Sequence, residues 1–182
     1  VYSDVREFNN AIVDATKDLV CAYKPNSAFY EARGDVGVRE MRDTMRYIHN
    51  HAPRVVEIYD AKRADIGSTN IGYVESAFDF FAADAITVNP YLGAEALKPF
   101  LRMKDRGIIV LCRTSNPGAG EFQDLRVRIS REEFRDIETR LGREIPEGDV
   151  PLYLHVAHQV ATQWNENDNC SLVIGATNPQ EL

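Results

Sequence analysis

Short apolar runs alternate along this chain with segments whose apolar residues recur every three or four positions. An unbroken apolar run predicts a buried strand, and the three-to-four spacing predicts a helix that buries one face. Alternating strands and helices are typical of βα units, which assemble into a parallel sheet. The predicted strands are 19–23, 54–59, 85–88, 108–112 and 172–174.

The predicted helices lie between these strands, and their spacing indicates which residues face the core. The segment 94–101 is expected to be a further short helix. The core-facing residues are Phe8, Ile12, Ala15 and Leu19 in the first helix, Met41, Met45 and Ile48 in the second, Val74, Ala77, Phe78 and Phe81 in the third, and Leu152, Val156, Val160 and Trp164 in the last.

One connection between strands is much longer than the others, and its excess lies between Gln123 and Val150. This stretch is rich in charged residues and ends in a turn-prone sequence at 145–149. We interpret 123–150 as a surface excursion that carries a short helix, 131–141, with its charges on a solvated face. Nothing in the sequence indicates a second domain, so residues 1–182 are predicted to form a single one.

Composition narrows the class of protein. The formal net charge of -7 disfavours nucleic acid and anionic membranes as partners, although a local lysine pocket can still bind an anionic substrate. No apolar run approaches the roughly 18 residues of a membrane span, and no signal peptide is recognised. Cys21, Cys112 and Cys170 are widely spaced in apolar surroundings, which predicts buried, reduced thiols and a cytoplasmic location.

The strongest candidate for chemistry is the run Asp60-Ala61-Lys62-Arg63-Ala64-Asp65-Ile66-Gly67, directly after the predicted strand 54–59. Residues two apart on a strand point to the same face, so Asp60 and Lys62 are expected side by side where the strand ends. Asp65 can be aimed back at the same spot, which would place an ammonium between two carboxylates. A lone D-x-K-x-x-D motif is more often a solvated run of charges, so other segments of the chain are needed to tell a catalytic motif from such a run.

The Asp60-x-Lys62-x-x-Asp65-Ile66 motif resembles the catalytic motif of orotidine 5'-phosphate decarboxylases, the enzymes that make UMP. Four other segments resemble strand ends and loops of that family in the same order, and together they cover nearly the whole chain. They are typical of its long-chain bacterial (mycobacterial-type) branch, which usually carries glycine where this chain has Ala64. The four segments are 23–31 (YKPNSAFYE), 87–93 (TVNPYLG), 112–118 (CRTSNPG) and 174–179 (IGATNP).

This resemblance implies a (β/α)8 TIM barrel, of which the chain contains about five of the eight βα units. A complete barrel typically needs about 250 residues, and five strands cannot close one. The family's first strand, with a ribose-contacting aspartate, and the phosphate-holding loops after its seventh and eighth strands have no counterpart in this sequence. We therefore expect the chain to be a portion of a longer protein and not a degraded relative.

The resemblance also implies decarboxylation of orotidine 5'-phosphate to UMP in pyrimidine biosynthesis, with no cofactor and no metal. Lys62 would protonate the C6 carbanion, and a charged network of Asp60, Asp65 and Lys24 would surround it. The family completes its active site across a homodimer, so Asp65 would reach into the partner's site. The implied substrate-binding residues are Ile66 and Thr69, also acting across the dimer, Ser115 at the pyrimidine amide edge, and Asn89.

Some of these residues have simpler explanations. Ser115 precedes Asn116-Pro117-Gly118 and can be a turn residue, and Thr69 can be the N-cap of the helix that follows it. His155 and His158 lie three apart on a predicted helix, a spacing that can bind zinc. No third ligand accompanies them in the sequence, and a structural or surface role is favoured.

Two alternative functions stay open. Sugar-phosphate decarboxylases and aldolases of the same superfamily also carry D-x-K-x-x-D but use magnesium, whereas Ile66 and the loops 89–91 and 115–118 favour orotidylate. Activity that survives a chelator would separate these two. The other alternative is a barrel remnant kept as a non-catalytic scaffold: the intact Lys24 and Asp60-to-Asp65 motif argue against it, and the missing strands argue for it.

Overall fold

The computed structural model describes residues 4–146, 148–177 and 179. Helices and strands alternate through most of this range, as the hydrophobic pattern predicts, and no helix in it is long and apolar enough to cross a membrane. In chain order the elements are α1 (Val5–Thr16), β1 (Ala22–Tyr23), α2 (Ser27–Glu31), α3 (Gly34–His51), β2 (Val56–Arg63), α4 (Gly67–Val74, continued by the π-helical Glu75–Phe80), β3 (Ala85–Val88), a 3-10 helix (Pro90–Leu92), α5 (Gly93–Leu101), β4 (Gly107–Arg113), α6 (Gly120–Gln123), β5 (Arg126–Val127), α7 (Arg131–Leu141), β6 (Val150–Pro151), α8 (Leu152–Gln159, continued by the π-helical Val160–Trp164) and β7 (Cys170–Ile174).

Within the described residues, five strands form one parallel sheet in the order β1-β2-β3-β4-β7. Each strand pairs with the next one in this order, and every crossover between neighbours contains at least one helix. Parallel strands joined by crossovers place all of their carboxyl ends at the same edge of the sheet. That edge is where the sequence places its candidate functional residues.

The predicted strands are present, but only 85–88 has the expected bounds, and the largest differences are at the start of β1 and the end of β2. Leu19 does not belong to β1: it lies in the turn after α1, is 80% exposed, and its N–H is held by the carbonyl of Thr16. β2 runs on to Arg63, so Asp60 and Lys62 belong to the strand and do not follow it. Asp60 and Lys62 lie where the register of β2 against β3 shifts, and the pairing with β3 resumes at Arg63.

The apolar core lies between the helices and one face of the sheet. The core-facing residues predicted for the second and third helices are confirmed, but those predicted for the first are wrong. Val13 is the buried residue of α1, whereas Phe8 and Ile12 are 48% and 45% exposed, because α1 packs on α3 through a different side. The largest buried core side chains include Met41, Met45, Ile86, Leu97, Phe100, Ile108 and Val110.

The segment 123–150 contains the helix that was predicted for it, since α7 covers the same residues as the expected helix 131–141. Around this helix, β5 and β6 pair as a short antiparallel ribbon. Ile137 and Val150 are buried, so the segment also packs against the rest of the molecule. The charges on its outer side are exposed, namely Arg126, Arg128, Arg131, Glu132 and Arg135.

Two histidines of α8 join it to α7. His155 Nδ1 lies 2.5 Å from Glu133 Oε1, and His158 Nε2 lies 2.9 Å from Asp136 Oδ2. The carboxylates that approach these rings are therefore partners of the imidazoles in a helix-to-helix contact. No group of three or more His, Cys, Asp and Glu residues in the described chain is arranged to hold a metal ion.

The three cysteines are free thiols, but they are not all buried. Cys112 is buried, and this burial raises the pKa of its thiol to about 11. Cys170 is half-buried. Cys21 is exposed, so the prediction of a buried thiol is wrong there: it lies just before the outer strand β1, where no further strand of the described chain covers it.

Glu57, near the start of β2, is a carboxyl buried without adequate compensation. It is 3% exposed, and its ion-pair partner among the described residues is the exposed imidazole of His49, 3.8 Å away. The Glu57 N–H donates to Asp84 Oδ2 at 2.9 Å, which brings a second carboxylate close. Burial, and to a lesser extent the charge of Asp84, raises the pKa of Glu57 to about 8.

Gly175, after β7, lies against the backbone of the loop that follows β4. Its N–H donates to Arg113 O at 2.7 Å. A Cβ at Gly175 would lie 3.0 Å from both the Cβ and the N of Ser115. Only a residue without a side chain fits this approach unless the loop moves.

The parent chain should lose stability as pH rises towards the pKa of Glu57, and replacing Glu57 by glutamine should remove this loss. Because the folded pKa lies near 8 and the ordinary value is 4.5, unfolding releases a proton between these values, and stability falls as pH rises, by up to about 1.4 kcal/mol per pH unit. Glu57→Gln abolishes this slope. Urea unfolding at pH 5.5, 7.0 and 8.5 measures it, with the exposed Glu166→Gln as control. An unchanged slope in Glu57→Gln would contradict the assignment.

Replacing Gly175 by alanine should destabilise the chain by about 1–3 kcal/mol, because the added methyl group meets backbone atoms of Ser115 that cannot rotate away. The matched control is Gly72→Ala in α4, where an added Cβ meets nothing within 4 Å. That variant should gain about 0.5–1 kcal/mol from its better helix propensity. Urea unfolding of both variants checks the pair, and equal free energies of unfolding would show that the close approach costs nothing.

Candidate active site

At the carboxyl edge of the sheet, β2 carries more residues than the strand beside it. Tyr59 pairs with Ile86 and Arg63 pairs with Val88, so four steps along β2 match two steps along β3. The surplus residues form a bulge, a feature that re-aims side chains at sheet edges and near active sites. Lys62 lies in the bulge with φ of 49°, the left-handed region that non-glycine residues rarely adopt. The backbone is therefore unusual at the residue that the sequence predicts to be catalytic.

Two lysines meet at the carboxylate of Asp60. Its Oδ1 accepts a hydrogen bond from Lys62 Nζ at 2.5 Å, and its Oδ2 accepts one from Lys24 Nζ at 2.5 Å. Lys24 comes from the end of β1, and the two strand ends are held together by the Asp60 N–H, which donates to Pro25 O at 3.1 Å. The structure thus brings together Asp60 and Lys62, which are separated by one residue in the sequence, and Lys24, which is far from both.

Thr87, on β3, is a fourth member of this network, and the sequence reasoning missed it as a site residue. Its hydroxyl donates to Asp60 Oδ1 at 2.9 Å and accepts the Lys62 N–H at 3.0 Å. In the sequence it is one residue of an apolar strand whose members are all buried. The signal in the sequence that could have identified Thr87 is a hydroxyl residue within an apolar strand, two positions before Asn89.

Asp60 is held in its ionised form. Its side chain is 5% exposed, and burial alone would raise its pKa, but the hydrogen bonds from Lys24, Lys62 and Thr87 outweigh burial and lower the pKa below its ordinary value. The side chains of Lys24 and Lys62 are 52% and 45% exposed. The two ammonium groups therefore stand between a buried carboxylate and the solvent, where an anionic ligand can reach them and Lys62 can donate a proton.

Arg63 fixes the end of β2 directly beyond Lys62. Its guanidinium forms an ion pair with Glu31 of α2 and lies over the ring of Tyr73 in α4, with 5.4 Å between Cζ and the ring centroid. It also lies 3.5 Å from the hydroxyl of Tyr59. The sequence reasoning did not single out Arg63, because one more charge in a charged run carries no distinguishing signal.

Asp65 does not return to Lys62 within the same chain. Its Oδ1 accepts the Ile66 N–H at 2.6 Å, and it forms no ion pair among the described residues. The fully buried Asn70 holds the turn: its Oδ1 accepts the Asp65 N–H at 2.9 Å, and its Nδ2 donates to the carbonyls of Asp65 and Ala96 at 2.7 and 2.6 Å. The expected ammonium between two carboxylates is therefore not formed by one chain alone, because Asn70 fixes the turn in another direction.

Ile66 and Thr69 lie on the surface beyond this turn. Ile66 is 60% exposed, and Thr69 is also exposed. α4 begins at Gly67 with Ile66 in the N-cap position, so Thr69 lies inside the helix, and the alternative that it is the N-cap is wrong. In the described chain no hydrogen bond joins either side chain to Asp60 or Lys62.

Asn89 and Ser115 lie at the ends of β3 and β4. The Asn89 side chain accepts the Tyr91 N–H at 3.0 Å and so caps the 3-10 helix. Ser115 is exposed, and its hydroxyl has no hydrogen-bond partner among the described residues. The preceding Thr114 is fixed instead, since its N–H and hydroxyl bond to the amide of Gln123 at 2.9 Å each. Asn178, in the resembling segment 174–179, lies outside the described residues.

A cleft of about 350 Å³ adjoins Lys24, between the end of β1 and α2. A larger one, about 730 Å³, lies against α7 and contains no residue of the Asp60 network. Size alone would therefore point to the wrong place, and the charged network identifies the site better. The residues that line the smaller cleft are Val5, Lys24, Pro25, Asn26, Phe29, Tyr30 and Arg33.

Known proteins resemble this chain over nearly its whole length. Orotidine 5'-phosphate decarboxylases of Herpetosiphon aurantiacus and of a Roseiflexus species are 45% and 46% identical to it over 176 and 178 residues. These matches cover 97% and 98% of this chain but 58% and 57% of the relatives. The chain thus spans less than two thirds of the length of the relatives it matches.

The solved structure of Leishmania donovani OMP decarboxylase superposes with a TM-score of 0.82 at 36% identity, covering 97% of this chain and 61% of that one. Leishmania donovani UMP synthase gives a TM-score of 0.83, also at 36% identity, with 97% and 34% covered. The predicted fold, a (β/α)8 barrel present in part, is confirmed by these neighbours. A family model described as "Orotidine 5'-phosphate decarboxylase / HUMPS family" matches residues 3–146, and the chain belongs to that family.

Proposed function

We propose that this chain carries the reacting centre for decarboxylation of orotidine 5'-phosphate to UMP, without a cofactor, and that Lys62 protonates the C6 carbanion. The observation that carries the proposal is the Lys62 ammonium, 2.5 Å from the buried Asp60 carboxylate, on a side chain that is 45% exposed. The relatives named above are decarboxylases of this substrate. They lend no support to the magnesium-dependent alternative or to a non-catalytic remnant.

The chemistry of the reaction matches this network. Loss of carbon dioxide from C6 leaves a carbanion on an sp2 carbon with little resonance stabilisation, so the enzyme needs a fixed cation next to it and then a proton. Lys62 supplies both. Asp60, held ionised, is an anion that opposes the substrate carboxylate, and this repulsion is relieved as carbon dioxide departs. Lys24 is the second cation and would bond the ribose hydroxyls.

The other predicted site residues are assigned roles from the exposure and the hydrogen bonds of their side chains. The unpartnered hydroxyl of Ser115 is free to bond the pyrimidine amide edge, and Asn89 lines the same edge of the sheet. Ile66, 60% exposed, would line a pocket, and Thr69 would contact the ribose. Because Asp65 forms no ion pair with any residue that the structure describes, we propose that it completes the Lys62 site of a second subunit in a homodimer.

The setting we propose is the cytoplasm, because three free cysteines suit a reducing compartment. We also propose the long-chain bacterial branch of the family, on the loop sequences 87–93 and 112–118. The whole protein would bind orotidine 5'-phosphate and release UMP, with neither nucleic acid nor a membrane as partner.

Activity is best tested in a barrel hybrid, which we define as residues 1–182 joined to those parts of the Herpetosiphon aurantiacus relative that lie outside the match. The hybrid should convert orotidine 5'-phosphate to UMP with or without a chelator, which is followed by the change in ultraviolet absorbance between substrate and product. A folded hybrid that leaves the substrate unchanged would contradict the proposed function, and loss of activity with the chelator would favour the magnesium-dependent alternative.

Lys62→Ala in the hybrid should abolish measurable turnover and leave the fold intact. The side chain provides the charge stabilisation and the proton, so a loss of about 10⁴-fold or more is expected. The matched control is Lys104→Ala, an exposed lysine ahead of β4 at the opposite edge of the sheet, which should keep kcat within about twofold. Substantial turnover by Lys62→Ala would show that Lys62 is not the proton donor.

If Asp65 acts across a dimer, two inactive variants of the hybrid should restore each other. In a heterodimer of Lys62→Ala and Asp65→Ala subunits, one site loses both groups and the other keeps both. Half of freely exchanged dimers are heterodimers, so activity should recover to about a quarter of the parent's. Mixing is followed by mass and turnover. Confirmed exchange without recovery would place Asp65 in the site of its own subunit.

A further inference from the structure

The hydroxyl of Thr87 has a single possible orientation in this site. A threonine hydroxyl has one proton to donate and lone pairs to accept with. The Asp60 carboxylate can only accept, so at 2.9 Å from Oδ1 the proton must point to Asp60. The Lys62 N–H can only donate, so at 3.0 Å it must meet a lone pair of the same oxygen. Both partners of the hydroxyl therefore belong to the bulge of β2.

Water cannot take over this role easily, because Thr87 is 2% exposed and the Asp60 side chain is 5% exposed. Without the hydroxyl, the Lys62 N–H would lose its partner and Oδ1 would keep one hydrogen-bond donor out of two. A buried polar group left without a partner is costly, and the backbone moves to avoid that cost. At this point of the chain the backbone that would move is that of Lys62.

The backbone of Lys62 is also the part of the site that most needs support. Its φ of 49° is unfavourable for a residue with a Cβ and persists only when neighbouring groups hold it. Thr87 holds the main chain of Lys62 and also contacts Oδ1, the same oxygen that the Lys62 ammonium contacts at 2.5 Å. The Thr87 hydroxyl thus contacts the backbone from which the Lys62 side chain extends and the carboxylate to which its ammonium is bound.

We propose that Thr87 is a positioning residue for the decarboxylation, which holds the Lys62 backbone and the Asp60 carboxylate in register so that the ammonium stands where the carbanion forms. This inference rests on the proposed function, because the group that it positions is the proposed proton donor. Thr87 does not itself touch the reacting atoms. Its loss should therefore slow the chemical step much more than it weakens substrate binding.

The test compares Thr87→Val, which keeps the shape and removes the hydroxyl, with Thr87→Ser, which keeps the hydroxyl, in the barrel hybrid. The matched control is Thr44→Val, because Thr44 is 4% exposed and its hydroxyl accepts a hydrogen bond from Asn9 Nδ2, but lies in α3 away from the site. Thr87→Val should lower kcat about 10- to 100-fold with KM within about threefold. Thr87→Ser should recover most of kcat, and Thr44→Val should leave it within about twofold.

A second readout separates this proposal from the proposed function. In residues 1–182 carrying 13C-labelled aspartate, the carboxyl signal of Asp60, assigned by its loss in Asp60→Asn, should titrate at higher pH in Thr87→Val than in the parent, since a hydrogen bond to the ionised form is gone. The acid limb of the kcat profile of the hybrid should move the same way. If the parent hybrid is inactive, the proposed function fails, and the titration still tests whether the Thr87 hydroxyl donates to the Asp60 carboxylate.

Three results would overturn the proposal. One is a Thr87→Val hybrid with kcat near that of the parent. Another is an Asp60 titration that Thr87→Val does not move. The third is a Thr87→Ser variant as slow as Thr87→Val, which would show that packing of the methyl group, and not the hydroxyl, accounts for the loss.

Discussion

The site depends on a carboxylate that is buried and yet stays ionised. Moving a charge out of water costs several kcal/mol, and the group normally takes up a proton unless cations and donors surround it. Asp60 receives hydrogen bonds from Lys24, Lys62 and Thr87, which come from three adjacent strands or their ends. Two of these donors, Lys24 and Thr87, are distant in the sequence, so the carboxylate is compensated in full only when the strands are assembled. Any change that separates these strand ends would leave a buried charge without its partners.

The bulge in β2 is how the backbone meets this requirement. In a regular parallel pair, side chains two apart share a face but stay one pleat repeat from each other. Four steps of β2 against two of β3 shorten that separation, and the left-handed Lys62 lets its ammonium turn back to Asp60. The strain is local, and Arg63 immediately after it is held by Glu31 and Tyr73 on two helices. A rigid surround of this kind is what an unfavourable backbone conformation requires to persist.

How much of this could be predicted from the sequence depends on the distance over which each interaction acts. The alternation of strands and helices is a local pattern, and most elements are found where it places them. The proximity of Asp60 and Lys62 was expected for a regular strand end, and it occurs through a bulge that no period-two rule describes. The role of Thr87 depends on strand register, which neither strand specifies alone. Likewise, the direction of Asp65 is set by Asn70, a polar residue whose burial no local pattern indicates.

β2 also shows that burial by itself does not decide the ionisation of a carboxyl group. Glu57 and Asp60 lie three residues apart on the same strand, and both are almost fully buried. The pKa of Glu57 is raised to about 8, because burial and the carboxylate of Asp84 act together and its imidazole partner is 3.8 Å away. The pKa of Asp60 is lowered, because three donors outweigh the same burial. The difference follows from the two edges of a parallel sheet. The carboxyl edge gathers Lys24, Lys62 and Thr87 around Asp60, while the opposite edge offers Glu57 an acid and a distant base. The pKa values of two buried carboxyl groups on one strand are therefore shifted in opposite directions.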